Sequence, residues 1–256
     1  MKKNQAVFTM VYNESVFLPL WLKYYSQFFA PEDIYVLDHG STDGSTGGTT
    51  AYNCIPVPGE VIDAEMQRNI VQQKQHELIS EYEIVLYTDV DEMVVPSPER
   101  GDLGKYLEFF RCEAIQYEYT NCNGFELLHM KESEPPLDVT RPIMPQRSHW
   151  FPNDDFLSKP LLARIPMEWD LGCHSTPKGK RQDFDLYLIH LHRVDYDLCL
   201  ARHNSINQRP RCHQDMKNGW SDQRHIVDPV AFHAWFYGNY AQNQRPIPEE
   251  WKQVKL

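Results

Sequence analysis

At 256 residues the chain is long enough to bury a substantial core, and its formal net charge of −11 argues against broad nucleic-acid binding, which draws much of its affinity from Lys and Arg neutralising phosphates. The same charge disfavours general attachment to anionic membranes. No stretch is long and apolar enough to span a bilayer, and the start lacks the basic-plus-apolar pattern of a signal peptide, so a cytoplasmic protein is expected.

In chain order, residues 6–11 read as a buried strand that runs into the polar turn Tyr12-Asn13-Glu14-Ser15. A helix follows, because Val16, Phe17, Leu20, Trp21, Tyr24, Tyr25 and Phe28 recur at helical spacing and Pro19 falls early enough for a first turn. A second strand, 34–37, ends in Asp38-His39-Gly40-Ser41-Thr42-Asp43-Gly44, a run of residues that accept turn geometry or cap a helix. Residues 63–79 form a plausible helix with Arg68 and Asn69 in its early turns, where a planar guanidinium suits phosphate oxygens. Such strand and helix alternation implies a parallel sheet, with ligands outside the carboxyl ends of the strands.

The next strand, beginning at Ile84, delivers Asp89 and Asp91. Alternation along an extended strand puts both carboxylates on one side with Val90 packed between them. Two hard carboxylates suit a divalent cation carrying a diphosphate. Farther on, residues 186–192 read as a strand on which His190 and His192 share a face and offer an imidazole to the same ion. His149, Trp150, Phe151 and Trp169 mix apolar rings with polar groups in the way sugar sites do. Residues 131–138, charged and with paired prolines, read as an exposed loop. The six cysteines, widely scattered, fit reduced thiols; with no close Cys pair and no metalloprotease-type His motif, a zinc site is not expected.

Four blocks, Met10-Val11-Tyr12-Asn13-Glu14, Leu37 to Gly44, Arg68-Asn69 and Thr88-Asp89-Val90-Asp91-Glu92, resemble in order and spacing the nucleotide-sugar-dependent glycosyltransferases of the GT-A fold. The likeness is to the family-two-like group of small proteins with a Trp-rich first helix. It covers about residues 6–96, and residues 159–164, 172–174 and 188–195 look like later blocks of the same group. Many members carry two consecutive acids where this chain has Asp38 and His39, which bears on the nucleotide base.

The resemblance implies an α/β fold with a Rossmann-like, mostly parallel central sheet flanked by helices and an elaborated C-terminal acceptor side. One domain is expected over 1–256, with 1–96 as the nucleotide-sugar half and 97–256 as the acceptor half. Tyr12, Asn13, Glu14 and Asp38 would line the base and ribose pocket, with Arg68 toward a phosphate. Asp89 would face ribose or metal, and Asp91 would hold Mn²⁺ (or Mg²⁺), His190 or His192 completing the ligands. His174 lies in a block that could touch donor phosphate or acceptor. For the base that deprotonates the acceptor hydroxyl, Asp155 and Asp154 follow the metal motif at a suitable interval, with Glu168 and Asp170 as rivals.

The expected function is metal-dependent transfer of a sugar from a nucleoside-diphosphate sugar to a hydroxyl of a glycan or glycoconjugate, with inversion preferred. Two alternatives stay open. A sugar nucleotidyltransferase would carry a Gly-rich basic loop after the first strand, where this chain has Tyr12-Asn13-Glu14. A non-catalytic carbohydrate-binding relative would bind nucleotide sugar without transferring it.

Overall fold

The computed structural model describes residues 1–47, 51–59, 61–152, 156–179 and 182–256, without the side chains of 182–184, 239 and 240. The first half alternates strand and helix: β1 (Lys3–Val11), α1 (Phe17–Tyr25), β2 (Ile34–Asp38), β3 (Asn53–Pro56), α2 (Ala64–Glu81) and β4 (Tyr82–Tyr87). Then come β5 (Glu92–Pro96), α3 (Leu103–Cys112), β6 (Tyr119–Leu128), β7 (His149–Pro152), β8 (Lys159–Ala163) and β9 (Gln182–His190). The chain closes with α4 (Tyr196–Ile206), α5 (His213–Asn218), α6 (Pro229–Tyr237) and the two-residue β10 (Arg245–Pro246).

β3, β2, β1 and β4 pair in that order, all parallel. Ala6, Val7 and Phe8 are wholly buried, as befits a strand covered on both faces. Beyond β4 the pairing turns mainly antiparallel, through β8, β6, β7 and β10, while β9 lies parallel to β6 and antiparallel to β5. β3, α3 and β5 were not anticipated from the sequence; β3 and β5 are short, whereas Leu103, Tyr106, Leu107 and Phe110 of α3 do recur at helical spacing. A large buried cluster draws on both halves of the chain, from Ala6 to Trp251, and a smaller one packs Leu128, Phe151 and Cys199 against Phe232 and Phe236 of α6.

Capping follows the residues. Asp63, Asp102, Asp195 and Asp228 each stand before a helix and accept a backbone N–H from its first turn. α1 has no side-chain cap, and its aromatic ridge holds it instead. Trp21 Nε1 donates to Thr88 Oγ1 at 2.7 Å, Tyr24 OH donates to the Val94 carbonyl at 2.7 Å, and Tyr25 OH accepts from Val94 N at 2.9 Å and donates to the Glu92 carbonyl at 3.2 Å. β5 pairs with β9 on one edge only, so the tyrosine hydroxyls satisfy backbone groups on its other edge.

Tyr25→Phe strands the buried Val94 N–H. The expected loss is about 1–3 kcal/mol of stability, read from urea unfolding; an unchanged midpoint would show that Val94 finds another partner.

Candidate active site

β1 and β2 end level, Val11 beside Asp38, while β4 stops at Tyr87 beside Phe8, before the end of β1. His39 N donates to the Val11 carbonyl at 2.9 Å, and Thr88 N to the Phe8 carbonyl at 3.2 Å. The polar loops after these strands therefore converge on one edge. Asn13, in a left-handed conformation at φ 54°, accepts from Thr42 N at 2.7 Å and Asp43 N at 3.2 Å. Asp38 accepts from Ser41 N at 2.8 Å and Thr46 Oγ1 at 2.7 Å. These two side chains knit the loops together, and the adjoining cavity is lined by Tyr12 and Glu14 rather than by them.

Asp89 and Asp91 do not lie on extended strand. β4 stops at Tyr87, and a turn closed by Glu92 N on the Asp89 carbonyl at 3.0 Å carries both acids before β5 begins. The turn, not strand alternation, gives them a common outlook. They stand between two cavities, of about 270 Å³ and 380 Å³, whose walls share Asp89, Asp91, Gly172, His174, Gln223 and Arg224. The first opens toward Tyr12, Arg68 and Arg209, the second toward Phe151, Lys159, His190 and Trp235. Gly172 has φ 73°, and a Cβ there would meet the His174 ring at 2.8 Å, so the turn carrying His174 requires glycine.

Each acid is met by a cation from a distant part of the chain. Arg202 of α4 donates to Asp91 Oδ2 and to Glu14 Oε1, both at 2.6 Å, with its guanidinium 4.4 Å from the centre of the Phe17 ring. Lys159 at the start of β8 contacts Asp89 Oδ2 at 2.7 Å and Glu92 Oε1 at 2.6 Å. Tyr87 OH donates to Asp89 Oδ1 at 2.7 Å, and Asp89 N donates to Glu92 Oε2 at 3.0 Å.

The charges follow from these contacts. Burial pushes the Asp91 carboxyl up, but Arg202 and His192 outweigh it and hold it well below the usual carboxylate range. Asp89 is only half-buried; desolvation pushes its carboxyl up, but Lys159 and Arg224 bring it down to about 2. Glu92 moves the other way, to about 7, because burial and the neighbouring Asp89 exceed what Lys159 returns. Burial raises Glu14 as well, against the pull of Arg202. His174 is lowered to about 3 by burial and Lys159, so it is neutral at pH 7.

The two late histidines part company. β9 ends at His190, whose Nε2 lies 2.9 Å from the Leu157 carbonyl and whose Nδ1 lies 3.5 Å from Glu92 Oε1. His192 lies past the strand, with Nδ1 3.3 Å from Asp91 Oδ2. They share no strand face, and only His192 meets a motif acid. Arg68 lines the first cavity and donates to the Trp169 carbonyl at 3.0 Å, not to Asp63 or Glu65. Asp154 and Asp155 lie outside the described residues. Glu168 and Asp170 are exposed and line neither cavity. Trp150 and Trp169 are 2% exposed and belong to the core; the aromatic walls of the second cavity are Phe151, Phe156 and Trp235.

Lys159 and Trp235 were not expected as site residues, and from sequence Arg202, Arg209, Arg211 and Arg224 read as a basic enrichment of the later chain, either near a lipid-linked or anionic acceptor or as solvated helix charges. Arg209 lies 3.6 Å over the Tyr12 ring, and its NH2 stands 3.2 Å from His39 Nδ1, which Gln67 Nε2 also approaches at 3.3 Å. Arg224 is exposed, lines both cavities and has no side-chain hydrogen bond or ion pair among the described residues.

No protein-family model matches this chain, and no curated protein matches it. Among solved structures it is similar to the mannosyltransferase PcManGT from Pyrobaculum calidifontis in complex with GDP-Man and Mn²⁺, at 15% sequence identity and a TM-score of 0.40, over 93% of this chain and 70% of that one.

Arg202→Ala leaves Glu14 and Asp91 facing each other in a nearly closed site, so a loss of roughly 3–5 kcal/mol is expected in denaturant unfolding. A variant as stable as the parent would show that water replaces the guanidinium. His39 gives a pH test. Burial and Arg209 lower its pKa to about 4, whereas the unfolded ring takes up its proton near 6.5, so acid favours the unfolded chain. The contribution of neutral His39 is present above about pH 6.5 and lost as pH falls toward 4. His39→Gln should flatten the stability profile across that window, and equal slopes in parent and variant would remove the role.

Proposed function

We propose that the chain is a nucleotide-sugar-dependent glycosyltransferase that moves a sugar to a hydroxyl of a glycan or glycoconjugate. The observation that carries this reading is the wall between the two cavities: Asp89 and Asp91 face both, with a nucleotide-sized approach past Tyr12 and Arg209 on one side and an aromatic-walled space on the other. A diphosphate at that wall meets Arg224, a cation with no protein partner among the described residues, and Arg68 at the cavity's edge. The turn after β1 carries Glu14 in place of a Gly-rich basic loop, which speaks against a triphosphate substrate.

A divalent cation, Mn²⁺ or Mg²⁺, fits Asp91. No hydrogen bond reaches its Oδ1 among the described residues, while Oδ2 is held by Arg202 and approached by His192. Asp89 differs: Tyr87 takes one oxygen and Lys159 the other, and with 30% of its side chain exposed it suits a ribose hydroxyl or an outer position on the ion. When bound, the ion would neutralise charge that grows on the departing diphosphate. The chain's own part is to hold Asp91 ionised, through Arg202, and to keep Lys159 charged, through Asp89 and Glu92. Trp235, half-buried at the wall of the second cavity, and the exposed Phe156 offer apolar faces for sugar C–H groups. Asp155, with Asp154 second, is the base we assign to the acceptor hydroxyl in an inverting reaction.

Thermal unfolding with a panel of nucleoside diphosphates and their sugars tests this, since a ligand that binds only the native state raises Tm. The expected result is a Tm rise with one donor family that needs Mn²⁺ or Mg²⁺. Asp91→Asn should stay folded, as circular dichroism would check, while losing that metal dependence and on the order of 10²-fold or more of turnover. No metal-dependent shift with any donor would end the proposal.

A further inference from the structure

A second group of ligating side chains lies behind Asp91, beside Arg202 of α4. α4 presents Cys199 and His203 on one face, four residues apart, and both are completely buried. The turn after β9 brings His192 against them. His192 Nε2 stands 3.2 Å from His203 Nε2, and the two nitrogens and Cys199 Sγ all lie within 4.8 Å of one another. Trp235 and Phe232 of α6 cover the group, their ring centres 4.8 Å and 5.1 Å from that of His203.

The outer contacts of the two rings decide what the inner nitrogens offer. His203 Nδ1 lies 2.9 Å from the Ile226 carbonyl, which only accepts, so Nδ1 carries the proton and Nε2 presents a lone pair. His192 Nδ1 lies 3.3 Å from Asp91 Oδ2, an ionised carboxylate that also only accepts. A proton there leaves a second lone pair on His192 Nε2, aimed at the first. Imidazoles that bind metals are held in this way, one nitrogen toward the ion and the other donating to a carboxylate or backbone carbonyl. Two nitrogens each about 2.0–2.1 Å from a tetrahedral ion are about 3.3 Å apart, close to the spacing found. Arg202 NH1, 3.0 Å from His192 Nδ1, allows another pattern in which Nδ1 accepts and Nε2–H donates to His203. That pattern gives the sulfur beside both rings no role.

We propose that His192, Cys199 and His203 form a binding site for a borderline-soft transition-metal ion of the Zn²⁺ type. Two imidazoles and a thiolate match Zn²⁺ or Co²⁺, whereas Mn²⁺ and Mg²⁺ prefer oxygen. His203 is completely and His192 largely shut away from water, which favours the neutral, ligating imidazole. Burial also raises the Cys199 thiol, so the empty site is protonated at sulfur. On binding, the S–H bond breaks, the proton passes to solvent and a sulfur–metal bond forms. Arg202 does not oppose the ion with a free charge, because Asp91 and Glu14 already neutralise it. The site is separate from the oxygen-rich position proposed at Asp91 Oδ1, and the two meet only through the contact of His192 with Asp91.

The test uses the full chain, stripped by chelator and titrated with Co²⁺ in the absence of any sugar nucleotide. One equivalent should bind with a thiolate-to-cobalt charge-transfer band and release of one proton, and Zn²⁺ should displace it. Cys199→Ser should abolish the band, His203→Asn should weaken Co²⁺ binding at least tenfold, and Cys212→Ser, in the other described cluster with Asp63 and Asp215, should leave the band intact. Circular dichroism checks that each variant is folded, and the parent titration stands without them. Failure of the parent to bind an equivalent of Co²⁺ or Zn²⁺, or a band that survives Cys199→Ser, overturns the proposal. Neither donor nor turnover enters this assay, so its failure leaves the glycosyltransferase reading standing, and the reverse also holds.

Discussion

The candidate site depends on one guanidinium. Arg202 reaches from α4 to hold Asp91 and Glu14 at once, each at 2.6 Å, joining positions 111 and 188 residues away in sequence. Without it, two carboxylates would share a nearly closed space, and at least one would take up a proton. With it, Asp91 stays ionised and the first turn after β1 is tied to the turn after β4. Such a pair adds little net stability, because desolvating both charges offsets their attraction; what it secures is the arrangement. Lys159 does the same for Asp89 and Glu92 from the opposite side. One of those two acids is pushed down and the other up, so the site keeps its negative charge where the cavities meet.

The aromatic ridge of α1 works at the backbone level toward the same end. Trp21 holds Thr88, the residue before Asp89, while Tyr24 and Tyr25 hold the edge of β5 that no strand pairs, at Glu92 and Val94. The acid turn is thus clamped at both ends by side chains from a single helix. A turn without such clamps would leave the carboxylates free to rotate apart. The density of aromatic residues in α1 is therefore more than core filling.

The parts of this architecture legible in the sequence are those governed by local rules. The strand at Ile84, the helix opening at residue 63 and the apolar period of α1 are all written in neighbouring residues, and the convergence of three polar loops follows from parallel alternation. Where the reading strayed, a longer-range interaction decided. Asp89 and Asp91 share an outlook because of a turn, and alternation along a strand happened to suggest the same outcome. His190 and His192 read as partners on one strand, yet β9 ends at the first of them and the second turns toward α4. Trp150 and Trp169 were read as possible sugar platforms, but aromatic type alone does not tell a core ring from a cavity wall. Arg202 and Lys159 were opaque for another reason: Asp91 lies 111 residues from Arg202 and Asp89 lies 70 from Lys159, distances at which no pattern links a cation to its acid.

Two cavities that share a wall constrain the chemistry more than either does alone. Group transfer with inversion needs the departing group and the incoming hydroxyl on opposite sides of the reacting carbon. A sugar placed at the wall of Asp89 and Asp91 would have the arginine-lined space behind its diphosphate and the space of Phe151 and Trp235 before it. Arg224 borders both spaces from a short segment outside the sheet, entered through Ser221 at φ 63°. Lys159 and Arg202 are already engaged by acids of the chain, so an arriving diphosphate that recruited them would have to break those pairs. Among the described residues Arg224 has none to break, and on the proposed reading it is a cation that can answer new negative charge without uncovering old.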